Sequence, residues 1–459
     1  MPNHRAAALD YLNAQEHVAL ERLTQLCSIP SVSTDPDHAA DMLKAADWIA
    51  DQFKYIGLDH IQVFPTQRHP IVFGQYCADK IDAPTVLIYG HYDVQPAAPL
   101  ELWHSDPFKP EIREDRLYAR GASDMKGQVV AAIQAVQAVI STNHLPVNIK
   151  FIIEGEEEIG SPSMPRFLRE QKQILSADVC LNPDAGMVSP TTPTITYGLR
   201  GLAYFELYVY GPDHDLHSGM FGGVVHNPAH ALAELIAGMH DEQQRITLPG
   251  FYDSVRTLTP DEHHEFSRLP VSRESYLRQT GAPELWGESD FLPQERVGVR
   301  PTLDVNGMIS GFTGAGSKTI IPSQAMAKIS MRLVPDQQPA QVAQQLRQYL
   351  EERAPKTIRW ELKDMQGGPA CIADRNHPAA QALAKAMEQV WNVPPIYKRE
   401  GGSIPVVGAM QDILGMDSVL TGFGLPDDNI HSPNEKLHLP TWYAGMKALV
   451  HFFYNLVEA

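Results

Sequence analysis

Residues 85–93 read Thr85-Val86-Leu87-Ile88-Tyr89-Gly90-His91-Tyr92-Asp93, an apolar β-rich run that ends on a histidine and an aspartate. Three more segments place metal-binding side chains in comparable positions. The run at 148–153 leads into Glu154-Gly155-Glu156-Glu157-Glu158, and the run at 177–181 leads to Asp184. Asp124 stands in Arg120-Gly121-Ala122-Ser123-Asp124-Met125-Lys126-Gly127. The apolar runs predict strands. Ligands far apart in sequence must converge to hold an ion, and the carboxyl ends of parallel strands are where an α/β sheet gathers its loops. A fifth candidate, His431, lies in Ile430-His431-Ser432 near the C-terminus.

Outward from these segments, helical periodicity covers 7–25 and 38–56, with Trp48, Ile49 and Phe53 on one face of the second. Strands are predicted at 71–76 and 85–89, then a helix at 129–140 and a strand at 148–153. Ser161-Pro162 opens a helix towards 175, and 177–181 is a strand. Strands alternating with helices predict an α/β domain, a parallel-type sheet flanked by helices. After Tyr197 the pattern changes. Residues 202–210 alternate as a half-buried antiparallel strand does. Asn227-Pro228 opens a helix to about 239, strands follow at 303–309 and 325–333, Gln338-Pro339 opens a helix to 353, and 357–365 is a last strand. That β-α-β-β-α-β order predicts a ferredoxin-like α+β unit. Residues 241–300 read as loop-rich. The expectation is one domain made of 1–198 and 377–459, with a second domain, 199–376, inserted into it.

At 459 residues the chain is long enough for two such domains. With 43% hydrophobic and 20% charged residues it reads as a soluble globular protein. Its 37 basic against 55 acidic residues leave a formal charge of −18, which repels phosphate backbones and argues against nucleic acid as a partner. The apolar run at 129–140 is too short to cross a bilayer and is interrupted by Gln134 and Gln137. The first residues lack the apolar core of a signal peptide. Cys27, Cys77, Cys180 and Cys371 form no CxxC pair and suit a reducing, cytoplasmic compartment.

Each candidate has its own chemistry. A metal-bound imidazole usually donates its second N–H to a carboxylate, which fixes its tautomer and orientation, and His91 with Asp93 brings both into one loop. Glycines on either side of Asp124 let the backbone come close to a bound group, and one carboxylate can bridge two cations with its two oxygens. Adjacent Glu156, Glu157 and Glu158 repel one another unless a dication is near; one could bind metal while a neighbour stays free as a base. Each has a plainer alternative, as a strand-end histidine, an Asp helix cap or an acidic helix start. Taken together, imidazole nitrogens and hard oxygens suit Zn²⁺, Mn²⁺ or Co²⁺, and no cysteine is needed.

These residues lie in motifs that resemble the M20 metallopeptidases, most of all the cytosolic nonspecific dipeptidase and carnosinase branch. The motifs are Gly90-His91-Tyr92-Asp93-Val94-Gln95-Pro96, the Arg120–Gly127 segment, Glu154–Ser161, Asp215-Leu216-His217-Ser218-Gly219, Arg399-Glu400-Gly401-Gly402-Ser403-Ile404-Pro405 and His431-Ser432-Pro433-Asn434-Glu435-Lys436. They span nearly the whole chain. The resemblance implies two divalent metal ions, Zn²⁺ or Mn²⁺, bound by His91, Asp124, Glu158, Asp184 and His431, with Asp124 bridging. By the resemblance, Asp184 would complete the site of His91, and Glu158 and His431 would bind the second ion; from the sequence itself, which ion Glu158 and Asp184 serve stays open. It implies Glu157 as general base, Asp93 as the group holding His91, and a cis peptide at Asp124–Met125. It also implies hydrolysis of dipeptides in a homodimer, where His217 completes the partner's site by stabilising the oxyanion. Arg332, Ser403, Thr319, His217 and His431 are the expected substrate contacts, the first two for a free carboxylate. The 199–376 domain would then be the lid and dimerisation domain. The same family also contains N-acyl amino acid amidohydrolases and carboxypeptidases, which the motifs do not separate from dipeptidases. A non-catalytic binding protein on this fold would have lost a ligand or the base, and every one is present.

Overall fold

A computed structural model of the chain describes residues 4–78, 80, 82–402 and 404–458, with the backbone alone for Gln366. The chain divides into two compact units, one of Met1–Tyr197, Ala373–Lys398 and Ile404–Ala459 and the other of Gly198–Ile372 and Arg399–Ser403.

The first unit is built on a mixed, mainly parallel sheet. Thr85–His91 is buried along almost its whole length, so both its faces are covered, as a strand at the centre of an α/β sheet requires. It runs parallel to Asn148–Glu154 on one side and to Val179–Asn182 on the other, and Val179–Asn182 runs parallel to Ser418–Leu420. The register sets His91 against Glu154 and Leu420 against Asn182. Four neighbouring strands therefore release their loops at the same end of the sheet. Antiparallel Ile71–Tyr76 and Asp59–Phe64 extend it beyond Asn148–Glu154, and Thr194–Leu199 beyond Ser418–Leu420.

Helix Lys126–Ile140 is buried all round, including Gln128 and Gln134, which is why its sequence shows little polar face. It packs on Leu439–Asn455, and Trp442 Nε1 donates to Gly127 O at 2.7 Å. A methyl on Gly127 would collide with the Ala122 carbonyl and with Leu437, so this position needs glycine. Burial of the larger aliphatic side chains here is worth about 1.5–3 kcal/mol each.

The predicted helix at 7–25 is two helices, His4–Ala14 and Glu16–Cys27, because Gln15 (φ −106°, ψ 14°) leaves the helical region while the apolar periodicity runs on. Strand Asp59–Phe64 and the three-residue strands Glu111–Arg113, Arg116–Tyr118 and Lys436–His438 were not anticipated. The first is mostly exposed and shows no buried alternation, and the others are shorter than any periodic pattern. The helix expected from Ser161 towards 175 is confined to Met164–Glu170.

In the second unit, Gly201–Tyr210 alternates strictly between buried and half-buried. It pairs antiparallel with Gln324–Leu333 and Arg359–Gly368, and Thr302–Ser310 pairs with Gln324–Leu333. Helices Pro228–Ala237 and Pro339–Arg353 cover one face, where Phe205, Leu207, Leu232, Leu235, Ile329 and Leu346 form a separate core. This is the antiparallel, ferredoxin-like order expected from the sequence. The loop-rich reading of 241–300 is corrected: the segment holds helices Pro260–Arg268, Arg273–Thr280 and Pro293–Val299. They run for nine, eight and seven residues, about two turns each, and leave few apolar positions to stand out from the charged residues around them. Their starts were legible all the same, in the Thr259-x-x-Glu262 capping box followed by Pro260.

Candidate metal centre

His91 ends its strand fully buried. Its Nδ1 lies 3.0 Å from the backbone carbonyl of Asp93, which accepts its proton and leaves the Nε2 lone pair free to bind. The carbonyl of Asp93, more than its carboxylate, makes this hold: the nearer carboxylate oxygen is 3.4 Å from Nδ1. That carboxylate, also fully buried, instead accepts the backbone amides of Glu157 (3.3 Å) and Glu158 (3.1 Å). Asp93 thus ties the histidine loop to the acidic one.

The three adjacent glutamates have three different environments. Glu156 is buried and spends its carboxylate on Thr66 Oγ1 (2.7 Å), His69 N (3.0 Å) and Ser163 N (3.0 Å), so it is a loop fastener. Glu158 accepts from Gln95 Nε2 at 2.7 Å and faces His431 Nε2 at 3.2 Å. Burial pushes the Glu157 carboxyl well above its ordinary range, and the carboxylates of Asp184, Glu158 and Asp124 push the same way against the lowering effect of His91. A methyl on Gly155 would run into the Tyr92 ring, so a glycine must start this loop.

Asp124 precedes helix Lys126–Ile140 and is followed by the cis bond to Met125. Its Oδ1 lies 3.2 Å from His91 Nε2 and its Oδ2 2.9 Å from His431 Nε2. Asp184, two residues past strand Val179–Asn182, comes 3.9 Å from His91 Nε2, and its backbone N–H donates to Asn182 Oδ1 at 2.9 Å. Two donor groups result, His91 with Asp124 and Asp184, and Asp124 with Glu158 and His431, the ligand atoms within each lying within 4.8 Å of one another.

The electrostatics of this arrangement call for cations. Burial lowers the pKa of His91, but its bonds to Asp124 and Asp93 outweigh that and hold it well above the usual imidazole range. Bonds to Asp124 and Glu158 push His431 up to about 10. For Asp124 burial works upwards, yet the two imidazoles hold its carboxyl well below the ordinary range. Buried His91 Nε2 stands 3.2 Å from Asp124 Oδ1 and 3.9 Å from Asp184 Oδ1, between two carboxylates that a divalent ion could share with it. Nitrogen and hard oxygen donors doubled about one shared carboxylate fit two borderline divalent ions. Glu154, behind His91, is pushed up to about 8 by burial and by Asp93; Tyr89 and Ser161 hydroxyls bond to it at 2.8 and 2.9 Å. The upward shift favours its neutral form, which spares the centre negative charge.

The other expected contacts belong to the second unit. His217 pairs with Ile320 in a two-stranded ribbon, and Ser218 N donates to Thr319 O at 3.0 Å, so His217 and exposed Thr319 are neighbours. His217 is itself exposed, and its Nδ1 accepts from Gly219 N at 3.0 Å, which places a neutral ring's proton on Nε2. Arg332 is half-buried on strand Gln324–Leu333, opposite Thr302 and Leu202. Ser403 lies outside the described residues. Sequence reading gave no task to Gln95, Glu154 or Glu156. Their signal was their place inside the Gly90–Pro96 and Glu154–Ser161 motifs.

Fold and centre together define a metallohydrolase of the α/β type with a second, ferredoxin-like domain. The model of peptidase family M20/M25/M40 matches residues 87–455. The chain is 33% identical to the Cys-Gly metallodipeptidase DUG1 of Candida albicans over 94% of its own length and 93% of the relative's. It is 33% identical to the Beta-Ala-His dipeptidase of Homo sapiens over 85% of this chain and 78% of that one. Among solved structures, the M20 family metallo-carboxypeptidase Sso-CP2 from Sulfolobus solfataricus matches with a TM-score of 0.87 at 31% identity, covering 96% of this chain and 99% of the other. The chain belongs to peptidase family M20/M25/M40.

Proposed function

We propose that this chain is a metal-dependent dipeptidase that cleaves the single peptide bond of Xaa-Xaa substrates. The observation that carries the reading is Asp124, whose two oxygens face His91 and His431 separately, with Glu157 beside the centre and outside both donor groups. Cys-Gly and β-Ala-His dipeptides are the first substrates to try, because the similar enzymes carry those names.

His91, Asp124 and Asp184 would hold one divalent ion and Asp124, Glu158 and His431 a second, Zn²⁺ or Mn²⁺ by donor type. Bound there, such ions polarise a carbonyl and acidify water. Glu157 takes the proton of the attacking water and returns it to the leaving amine, a role that its raised pKa suits. Asp93 holds the Glu157 and Glu158 amides and so sets the base in place. His217 offers Nε2–H to the developing oxyanion. Arg332 takes the substrate's carboxylate bidentately, with Ser403 and Thr319 beside the substrate.

A panel of dipeptides, tripeptides and N-acetyl amino acids, each with Mn²⁺ or Zn²⁺ added, tests the reading. Dipeptides should turn over fastest. A carboxypeptidase is the second reading, favoured by the likeness to Sso-CP2; preference for the longer peptides would establish it, and exclusive turnover of acylated substrates would sink both.

Loading should release protons. The carboxylates around them raise the pKa of His91 and push that of His431 up to about 10, which favours the protonated imidazoles without metal, and a cation needs their neutral forms. Calorimetry in two buffers of different ionisation enthalpy should therefore count about two protons per pair of ions from the imidazoles, with Glu157 able to add another. Apparent affinity falls as pH drops, since each imidazole must give up its proton. Binding without proton release would contradict the ligand assignment.

We further infer a homodimer in the cytoplasm, with His217 of each subunit serving the partner's site. The four free cysteines suit a reducing compartment. His217→Ala should lower kcat and leave bound metal unchanged. Mixing His217→Ala with Glu157→Gln subunits under exchange should restore about a quarter of wild-type activity by random pairing, because one site in each mixed dimer is intact. Absence of rescue in demonstrated mixed dimers would refute the shared site.

A further inference from the structure

Three of the ligand-bearing loops meet at one buried ion pair that no metal ligand or base explains. Arg120 and Glu435 are almost completely buried and lie 2.7 Å apart. Glu435 Oε2 also accepts from Gly121 N at 2.9 Å, and its Oε1 accepts from Ser123 N at 3.0 Å and Asp124 N at 3.1 Å. One carboxylate thus holds the backbone of the loop that carries the bridging Asp124, including Asp124's own amide. Glu435 stands four residues from His431, in the loop that carries the opposite ligand. A parallel tie joins the same two loops, Ser123 Oγ donating to Asp428 Oδ2 at 2.8 Å. Arg120 reaches further: Nη2 lies 3.3 Å from Pro96 O, in the loop after Asp93, and 3.4 Å from Ser432 O, next to His431.

We propose that Glu435, charge-balanced by Arg120, is a positioning residue that fixes the spacing of Asp124 against His431 and thereby sets the affinity of both cation sites. This rests on the two-metal reading of the centre. The physical reason is geometric. Asp124 serves both donor groups, so a small displacement of its backbone spoils both at once, and rigid loops spare the entropy of ordering them at binding. An uncharged residue could fill the space at 435, but it could not accept from three amides and a guanidinium together. Desolvation of a buried ion pair can cost more than its attraction returns, so such a pair is weak evidence of a purely stabilising role.

The test measures Zn²⁺ affinity by chelator competition, alongside thermal unfolding of the metal-free protein. Glu435→Gln should weaken Zn²⁺ binding about 10–100-fold at both sites, the usual effect of removing a group that orients ligands. It should also lower Tm, because Arg120 loses its counter-charge. Adding Arg120→Gln removes that stranded charge. The double variant should recover much of the Tm while its Zn²⁺ affinity stays low. Recovery of affinity together with Tm would make the pair merely structural and overturn the proposal, as would wild-type affinity in Glu435→Gln. Should neither variant fold, Glu435→Asp carries the test: it keeps the charge, shortens the reach, and should lose affinity with its circular dichroism unchanged, whereas unchanged affinity overturns the proposal. A wild-type protein that binds no Zn²⁺ or Mn²⁺ at all would instead overturn the metal-centre reading, a distinguishable result.

Discussion

Glu157→Gln is expected to keep its full complement of metal and lose about 10²–10⁴-fold in kcat, the usual worth of a general base. Glu157 belongs to neither donor group, so the ligands lose nothing. The backbone amide that Asp93 holds is unaffected by the change, and glutamine has nearly the shape of the acid. What disappears is a carboxyl able to accept a proton from water and hand it on. Its burial among Asp184, Glu158 and Asp124 gives it the raised affinity for a proton that a base needs here. Metal analysis of the purified variant, followed by steady-state kinetics with excess Mn²⁺ or Zn²⁺, decides the matter. Substantial turnover with metal bound would assign the base elsewhere; loss of metal would make Glu157 a ligand.

Asp124→Asn is expected to be worse, because it damages both cation sites with one change. Each carboxylate oxygen faces a different imidazole, at 3.2 and 2.9 Å, and asparagine replaces one oxygen with an amide nitrogen that cannot coordinate. Lewis-acid stabilisation is worth several kcal/mol, so activity at limiting metal should fall by about 10³-fold or more. The imidazoles should also move back towards ordinary pKa values, since Asp124 is the largest upward influence on both. For a histidine with a raised pKa, the stabilisation is present below the imidazole's unfolded value and is lost as pH rises through the folded one. The metal-free variant should therefore lose most of the stability that wild type gains from these pairs at low and neutral pH. Retention of both ions in the variant would show that Asp124 does not bridge.

How much of this was legible follows from what makes each signal. The strands ending at His91, Glu154 and Asn182 were read because burial on two faces demands continuous apolar side chains, which are visible in any order of the chain. The ferredoxin-like unit was read because its strands alternate and its helices begin with Asn-Pro and Gln-Pro. The short helices between 241 and 300 were missed because eight or nine residues make only about two turns, too few apolar positions to stand out from the charged residues around them, although their caps were in plain sight. Among the glutamates, nothing in Glu156-Glu157-Glu158 says which one fastens a loop. That depends on Thr66, His69 and Ser163 arriving from elsewhere.

By itself, the sequence determined the types of donor, their places after strands, and the family to which their motifs belong, since side-chain chemistry and local periodicity are properties of neighbours in the chain. Only the tertiary structure decided that Asp124 faces both histidines, that Asp184 and Glu158 fall to opposite groups, and that the carbonyl of Asp93 does the holding of His91. It alone showed that Glu435, some 300 residues away, grips the Asp124 loop through backbone amides. Every peptide carries that same N–H, so no residue identity announces which amides a distant carboxylate will find; packing decides it.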